Sequence, residues 1–334
     1  FLLFHKKDFN PELAPPTFSN YKISQKNFPF LWTQIRFAWE IWKKKPDVLW
    51  MPMAALPIIR RKKTKSIITI HDLAFKYFPQ YFTKKDLRRL NFLADFSIRH
   101  SDGIIAISES TKNDILKFYP EIKEEKIKVI HHGFSSDVFG ENRNLEKEQE
   151  LKNRLGIEGE YILYSGALQP RKNIEKLIET FDSYKKRSNS PIRLVLAGEK
   201  AWLWESIEKR AKESPYSKDI IMPGKLKFCD IGHLFRGAKV FVYPSLYEGF
   251  GITILEAYAA GIPLICASNS SLVEIGGKGA LYFDASNADE LSERIEKILS
   301  SEELRKELVA KGKERLRDFS WEKCARETLE YLKT

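Results

Sequence analysis

Short apolar runs stopped by turn residues alternate with helical stretches along this chain, and the alternation starts twice. In the first part "DVLWM", "KSIITI", "DGIIAI" and "IKVI" read as strands, with helices expected near Phe28–Lys44, Lys84–Arg99 and Glu109–Phe118. Such spacing builds βαβ units around a parallel sheet. A polar stretch follows, "GENRNLEKEQ" from Gly140 to Gln149, which reads as a linker. The pattern then restarts: "YILYSGAL" leads into a helix from Lys172 to Lys186, "IRLVLAG" into one near Trp204–Lys212, and "DIIMPG" into Asp230–Arg236. "AKVFVYPS", "IPLICAS" and "GALYFD" complete the strands, and three helices from about Ala288, Glu302 and Ser320 close the chain. The expected class is α/β, with two doubly wound, Rossmann-like domains in sequence. Ligands of such sheets lie beyond the carboxyl ends of the strands, so the loops after strands are where chemistry is to be sought.

Composition narrows the class. A chain of 334 residues, 43% hydrophobic, exceeds one typical core. Its three cysteines, Cys229, Cys266 and Cys324, are isolated, so they suggest neither a disulfide framework nor a zinc site. No apolar run approaches the roughly 20 residues that span a bilayer, and "FLLF" at Phe1 is too short for a secretory segment. A soluble protein of the reducing cytosol is expected. The charge is uneven: residues 1–140 hold 24 Lys and Arg against 14 Asp and Glu, while the remaining 32 and 31 nearly cancel. Clusters such as "WKKKP" and "RRKKTK" suit either anionic lipid headgroups or a plain solvated face.

No G-x-G-x-x-G follows a strand, and no Walker A loop, D-x-D, H-E-x-x-H or G-x-S-x-G occurs. What stands out is "YPSLYEGFGITILEAYAAG", Tyr243 to Gly261, where Glu248 and Glu256 flank Gly249, Phe250 and Gly251 as a buried strand gives way to a helix. Free amides at a helix start suit a phosphate or a sugar oxygen, and glycines let the ligand approach. A carboxylate suits vicinal hydroxyls because it accepts two hydrogen bonds. A phosphate flanked by two polyols is a nucleotide sugar. The spacing alone serves a helix-dipole carboxylate equally well.

A second loop, "LYSGALQPRKNIEKLIETF", places Gly166 at the turn and Arg171 and Lys172 at a helix start, where cations gain nothing from the dipole. An anionic ligand would explain them, and Lys172 is the expected phosphate ligand; a solvated turn is the commoner setting for an arbitrary lysine. His71 in "SIITIHDLAF" follows a buried strand of the first domain, where a neutral imidazole can donate to or accept from a substrate oxygen, although a histidine after a strand is, taken alone, more often a satisfied structural residue.

"SLYEGFGITILEAYAAGIPLICAS" resembles the E-x7-E segment of family 4 glycosyltransferases, retaining enzymes of the GT-B fold. "SGALQPRKNIEKLIETF", "LVLAGEKAW", "SLVEIGGKGALYFD" and "FSWEKCARETLEYL" resemble that family in order, and "IITIHDLAFKYFPQYF" and "IIAISESTKNDI" resemble its N-domain. They resemble in particular a bacterial branch that often builds surface polysaccharide, of the O-antigen mannosyltransferase type, and often uses GDP-mannose. The resemblance implies an acceptor-side domain over 1–140, whose first strand and glycine loop are expected upstream of Phe1. It implies a nucleotide-sugar domain over 141–318, and a helix over 319–334 crossing back to the first domain.

By position, Glu248 would bind the donor sugar's hydroxyls beside the amides of Gly249–Gly251, and Glu256 the ribose. Lys172 and Arg171 would stabilise the leaving diphosphate, and His71 would touch the transferred sugar. The implied reaction moves a hexose, mannose from GDP-mannose, to a lipid-linked or growing glycan, with a nucleotide-sugar co-substrate and neither cofactor nor metal. Front-face substitution, in which the leaving phosphate helps deprotonate the acceptor, needs no protein nucleophile. The family often has Arg where Ala167 stands, and Asn where His132 stands. A UDP-hexose donor and a non-catalytic nucleotide-sugar-binding protein are the alternatives. Nucleic acid is not an expected partner, because the aromatic-interleaved sheet motifs of an RNA reader are absent. Peripheral contact with anionic membrane on the cytoplasmic side is expected from the basic first half.

Overall fold

The structure is a computed structural model that describes residues 1–9, 19–140 and 143–334. Its first half holds β1 (Leu2–His5), β2 (Lys22–Gln25), β3 (Val48–Met51), β4 (Lys65–Ile70), β5 (Gly103–Ala106) and β6 (Ile127–Val129). β1 and β2 pair with each other, and β3-β4-β5-β6 form a four-stranded sheet. The second half holds β7 (Tyr161–Ser165), β8 (Arg193–Ala197), β9 (Ile220–Gly224), β10 (Val240–Tyr243), β11 (Leu264–Ala267) and β12 (Ala280–Phe283). They lie in the order β12-β11-β10-β7-β8-β9, and every pairing is parallel. Continuous apolar runs are what such sheets require, since helices cover both faces. β7, β10 and β11 are buried at every residue.

Most helices fall where the sequence places them. Lys84–His100 is capped by Thr83, whose hydroxyl accepts from the Asp86 amide, and Glu109–Phe118 by Ser108, which accepts from Thr111. Two stretches differ. Residues 28–32 are not helical: a π-turn spans Thr33–Phe37 and the α-helix only Ala38–Lys44, with Leu31 left-handed at φ 46°. The expected linker is also shorter, because Asn144 caps a helix over Leu145–Leu155. That helix buries Glu148 between Arg143 and Arg236 and packs Leu151 in the core. Residues 141 and 142 of that linker lie outside the described residues.

The chain passes between the two sheets twice. Ile130 packs under the four-stranded sheet, while Phe139 belongs to the core of the six-stranded one. On the return, Phe319 still belongs to that second core, but Cys324, Tyr331 and Leu332 of the helix Trp321–Lys333 pack on Ile67, Ile105 and Ile130. The Tyr331 hydroxyl donates to the Lys126 carbonyl at 2.8 Å and accepts from the Ile104 amide at 3.3 Å. Gly133 lies against the backbone of Ser320 and Trp321, where a Cβ would fall 2.1 Å from the Trp321 nitrogen.

Candidate active site

β7 and β10 are neighbours in the six-stranded sheet, and from them the chain winds outward in opposite directions. The crevice at their carboxyl ends is a topological switch point, the place where sheets of this kind take ligands. The loop after β7 carries Gly166, Arg171 and Lys172; the loop after β10 carries Glu248, Gly249, Phe250 and Gly251. The two loops are joined by backbone, since the Leu246 amide donates to the Arg171 carbonyl at 2.9 Å. Arg171 and Lys172 form a short 3-10 turn ahead of the helix Ile174–Ser188, which starts two residues later than the sequence suggests. Left-handed Asn173 ends the turn, and its amide donates to the carbonyls of Pro244 and Ala285.

These loops bring Glu248 between two cations. Lys172 Nζ lies 2.5 Å from Glu248 Oε1, and Arg171 Nη1 lies 3.4 Å from Glu248 Oε2. Lys172 and Glu248 are buried and Arg171 is partly buried. Burial works against the Glu248 charge, but Lys172 and then Arg171 outweigh it and hold the carboxyl down at about 2. Burial likewise opposes the Arg171 charge, and Glu248 and Asp72 reverse the balance, holding the guanidinium above its usual range. Lys172 also points at the Tyr243 hydroxyl, 3.4 Å away, and Arg171 Nη1 donates to the Tyr247 carbonyl. Arg171 Nε is buried without an acceptor among the described residues. The Glu248 amide donates to Ser270 Oγ at 3.0 Å.

Glu256 is set quite differently. It lies on the helix Ile252–Ala259 and is half-buried, with no partner for its carboxylate among the described residues. Burial alone pushes its carboxyl up to about 7. Gly251 opens this helix at φ 92°, a left-handed setting that favours glycine.

Gly249 has another reason to be glycine. A Cβ there would fall 1.8 Å from the His71 carbonyl oxygen, so the loop after β10 rests on the backbone of the other domain. The missing side chain at Gly249 thus makes room for the first domain, while its amide is a separate matter. The His71 ring is exposed, and Nε2 lies 2.8 Å from the Pro52 carbonyl, leaving Nδ1 for other contacts. Phe250 does not line the crevice with its ring. It is buried edge-on to His132 at 5.3 Å and to Phe319 at 6.0 Å, so only its backbone is available to a ligand. His132 also lies 5.5 Å from the His71 ring; burial, then His71 and His131, lower it to about 4. The Ala167 carbonyl accepts from the Tyr164 hydroxyl at 3.2 Å.

Several contacts escaped the sequence reading. The Ser108 and Thr111 hydroxyls donate to the Gly249 carbonyl at 2.6 and 3.1 Å, and the Tyr247 hydroxyl donates to Asp114 at 2.5 Å. Glu274 accepts from the Glu109 and Ser110 amides at 2.9 and 3.1 Å and lies 2.8 Å from His131. Ser108 is legible as an N-cap, but nothing in the sequence says that its helix faces Glu274. Among the described residues, no three His, Cys, Asp or Glu side chains gather where they could hold a cation.

The pattern described as "Glycosyl transferases group 1" matches residues 146–315, half of the chain, and that of "Glycosyltransferase Family 4" matches residues 5–138. The chain belongs to the group 1 glycosyltransferases. O-antigen chain mannosyltransferase B of Escherichia coli is 28% identical over 302 residues, covering 89% of this glycosyltransferase and 77% of that protein. Sucrose-phosphate synthase from Thermosynechococcus elongatus superposes with a TM-score of 0.76 at 17% identity, over 99% of this chain and 88% of that one. Anabaena HepE, solved with UDP-glucose, gives 0.74 at 16% identity, over 93% and 85%. The glycosyltransferase therefore has the GT-B architecture of two Rossmann-like domains.

Proposed function

We propose that this glycosyltransferase moves mannose from GDP-mannose to a lipid-linked or growing glycan of a bacterial surface polysaccharide, with retention and without a metal. The observation carrying this reading is the Lys172–Glu248–Arg171 set, with Lys172 and Glu248 buried, at the switch point of the six-stranded sheet. Mannose is favoured by the relative named as an O-antigen mannosyltransferase. A lysine has three N–H donors, and Lys172 directs them at Glu248, at Tyr243 and, in this reading, at a diphosphate oxygen. Arg171 and the amides that open the helix Ile252–Ala259 surround the same charge. Groups fixed before the reaction and aimed at developing charge stabilise a transition state most, because nothing reorganises as the diphosphate departs.

Glu248 holds the sugar's hydroxyls and Glu256 the ribose. His71 offers its exposed ring to the transferred sugar from the first domain. Thermal shifts with GDP, UDP and ADP in EDTA, on wild type and Glu256→Ala, test the donor assignment. A GDP shift lost in the variant is the expected result, and a UDP shift would transfer the reading to a UDP-hexose, the donor type bound to HepE. The anomer of the product, read by NMR, tests retention.

The acceptor reading places the enzyme at the cytoplasmic face of the membrane. Among the described residues no helix is long and apolar enough to cross one. Contact would be peripheral, through exposed Phe30, Leu31, Trp39, Trp42, Ile58 and Ile59, which alternate with the basic runs at Lys43–Lys45 and Arg60–Lys63. Sedimentation with vesicles should rise with anionic lipid content and fall with salt.

A further inference from the structure

Glu248 is held from both sides along the chain by the opposite domain. Its neighbour Tyr247 buries its ring and donates its hydroxyl to Asp114 at 2.5 Å; Asp114 is itself buried and also accepts from Tyr77 at 2.6 Å. Its other neighbour, Gly249, gives its carbonyl to Ser108 and Thr111 and lies against the His71 backbone. Asp114, Ser108 and Thr111 sit on or at the start of the single helix Glu109–Phe118 of the first domain. None of the three touches Lys172 or Arg171.

We propose that Asp114, Ser108 and Thr111 are positioning residues for Glu248: by holding Tyr247 and Gly249 from the first domain they complete the placement of a carboxylate that its own domain holds through Lys172, Arg171 and Ser270. This rests on the reading of Glu248 as the carboxylate that binds the donor sugar. The physical reason is the strength of the links. A hydrogen bond to a buried carboxylate is stronger than one between neutral groups, and the Gly249 carbonyl exchanges two fixed hydroxyl donors for water when the domains part. Separating the domains breaks both links at once and leaves the loop to the bonds of its own domain, from Arg171 to the Tyr247 carbonyl and from Ser271 to the Glu248 carbonyl at 2.9 Å. A donor sugar entering the crevice would then favour closure through the same carboxylate.

Tyr247→Phe keeps the ring and removes only the hydroxyl. Tyr77→Phe removes the other hydrogen bond to the same Asp114, but that bond lies wholly within the first domain. We expect Tyr247→Phe to lower kcat/KM for the nucleotide sugar by roughly ten- to a hundredfold, the range for one hydrogen bond to a charged group, with Tyr77→Phe changing it less than about threefold. GDP, which lacks the sugar, should bind both variants as it binds wild type. Equal losses in the two variants would make Asp114 merely structural and overturn the proposal. Wild-type kcat/KM in Tyr247→Phe beside an inactive Glu248→Gln would overturn it alone; full activity in Glu248→Gln would overturn the underlying reading and the proposal with it.

Discussion

The loop end and the helix end of the segment Glu248–Glu256 carry the same chemical group in opposite states. At the loop end Glu248 is buried with two cations and held down at about 2, although burial alone would raise it. At the helix end Glu256 has no such partner, and burial takes its carboxyl up to about 7. The first is a fixed charge at any physiological pH. The second changes charge near neutrality and stays desolvated until something brings it hydrogen bonds. A site can thus combine a rigid recognition group with one whose unfavourable burial only a ligand relieves, and desolvation is present at both ends.

The sharpest way to break this contrast is Glu248→Ala, which leaves buried Lys172 and partly buried Arg171 without their carboxylate. Breaking such a pair is expected to cost about 3–5 kcal/mol of stability, seen as a lower unfolding midpoint at pH 7, with turnover down by at least about a hundredfold. The native contribution of Glu248 is complete above its ordinary 4.5 and disappears as pH falls through about 2. Glu256→Gln should act with the opposite sign. A raised carboxyl is stable in its neutral form below 4.5, and that stability is lost as pH rises through about 7. The variant should therefore gain about 3 kcal/mol over wild type at pH 8 and nothing at pH 4, in paired thermal melts. Equal midpoints at pH 8 would end the contrast.

Binding sharpens it further. Glu256→Ala should lose roughly ten- to a hundredfold in affinity for the nucleoside diphosphate, and a 2′,3′-dideoxy nucleotide should bind wild type no better than it binds the variant. The smallest effect is expected at Glu274, held below the carboxylate range by His131 and the amides of Glu109 and Ser110 against the effect of burial. Glu274→Gln keeps the shape but removes a charge from a helix start, about 0.3–1 kcal/mol, with the domains further apart on average in solution scattering.

The sheets and both loops were legible because buried parallel strands leave continuous apolar runs, and the switch-point rule then points to their ends. The opposite states of Glu248 and Glu256 were not. They depend on Lys172 and Arg171, which lie 76 and 77 residues from Glu248. Local pattern says that a carboxylate stands near a helix start; only packing says which cation reaches it. The contacts of Gly249 lie further still, with Ser108 141 residues away. At Gly140–Gln149 polarity misled in another way, because Arg143 and Arg236 let a charged helix bury Glu148. At Phe28–Lys44 the apolar residues have helical spacing, yet Pro29 and left-handed Leu31 precede the helix.

The meeting of Gly133 with Ser320 and Trp321 has a mechanical consequence. Both covalent passages between the sheets run through that one spot, which makes it the natural pivot for any movement of one domain against the other. The domains can swing about it, whereas sliding one past the other would stretch both passages together. Opening the crevice is then a rotation about that spot, which distance labels across its mouth would follow.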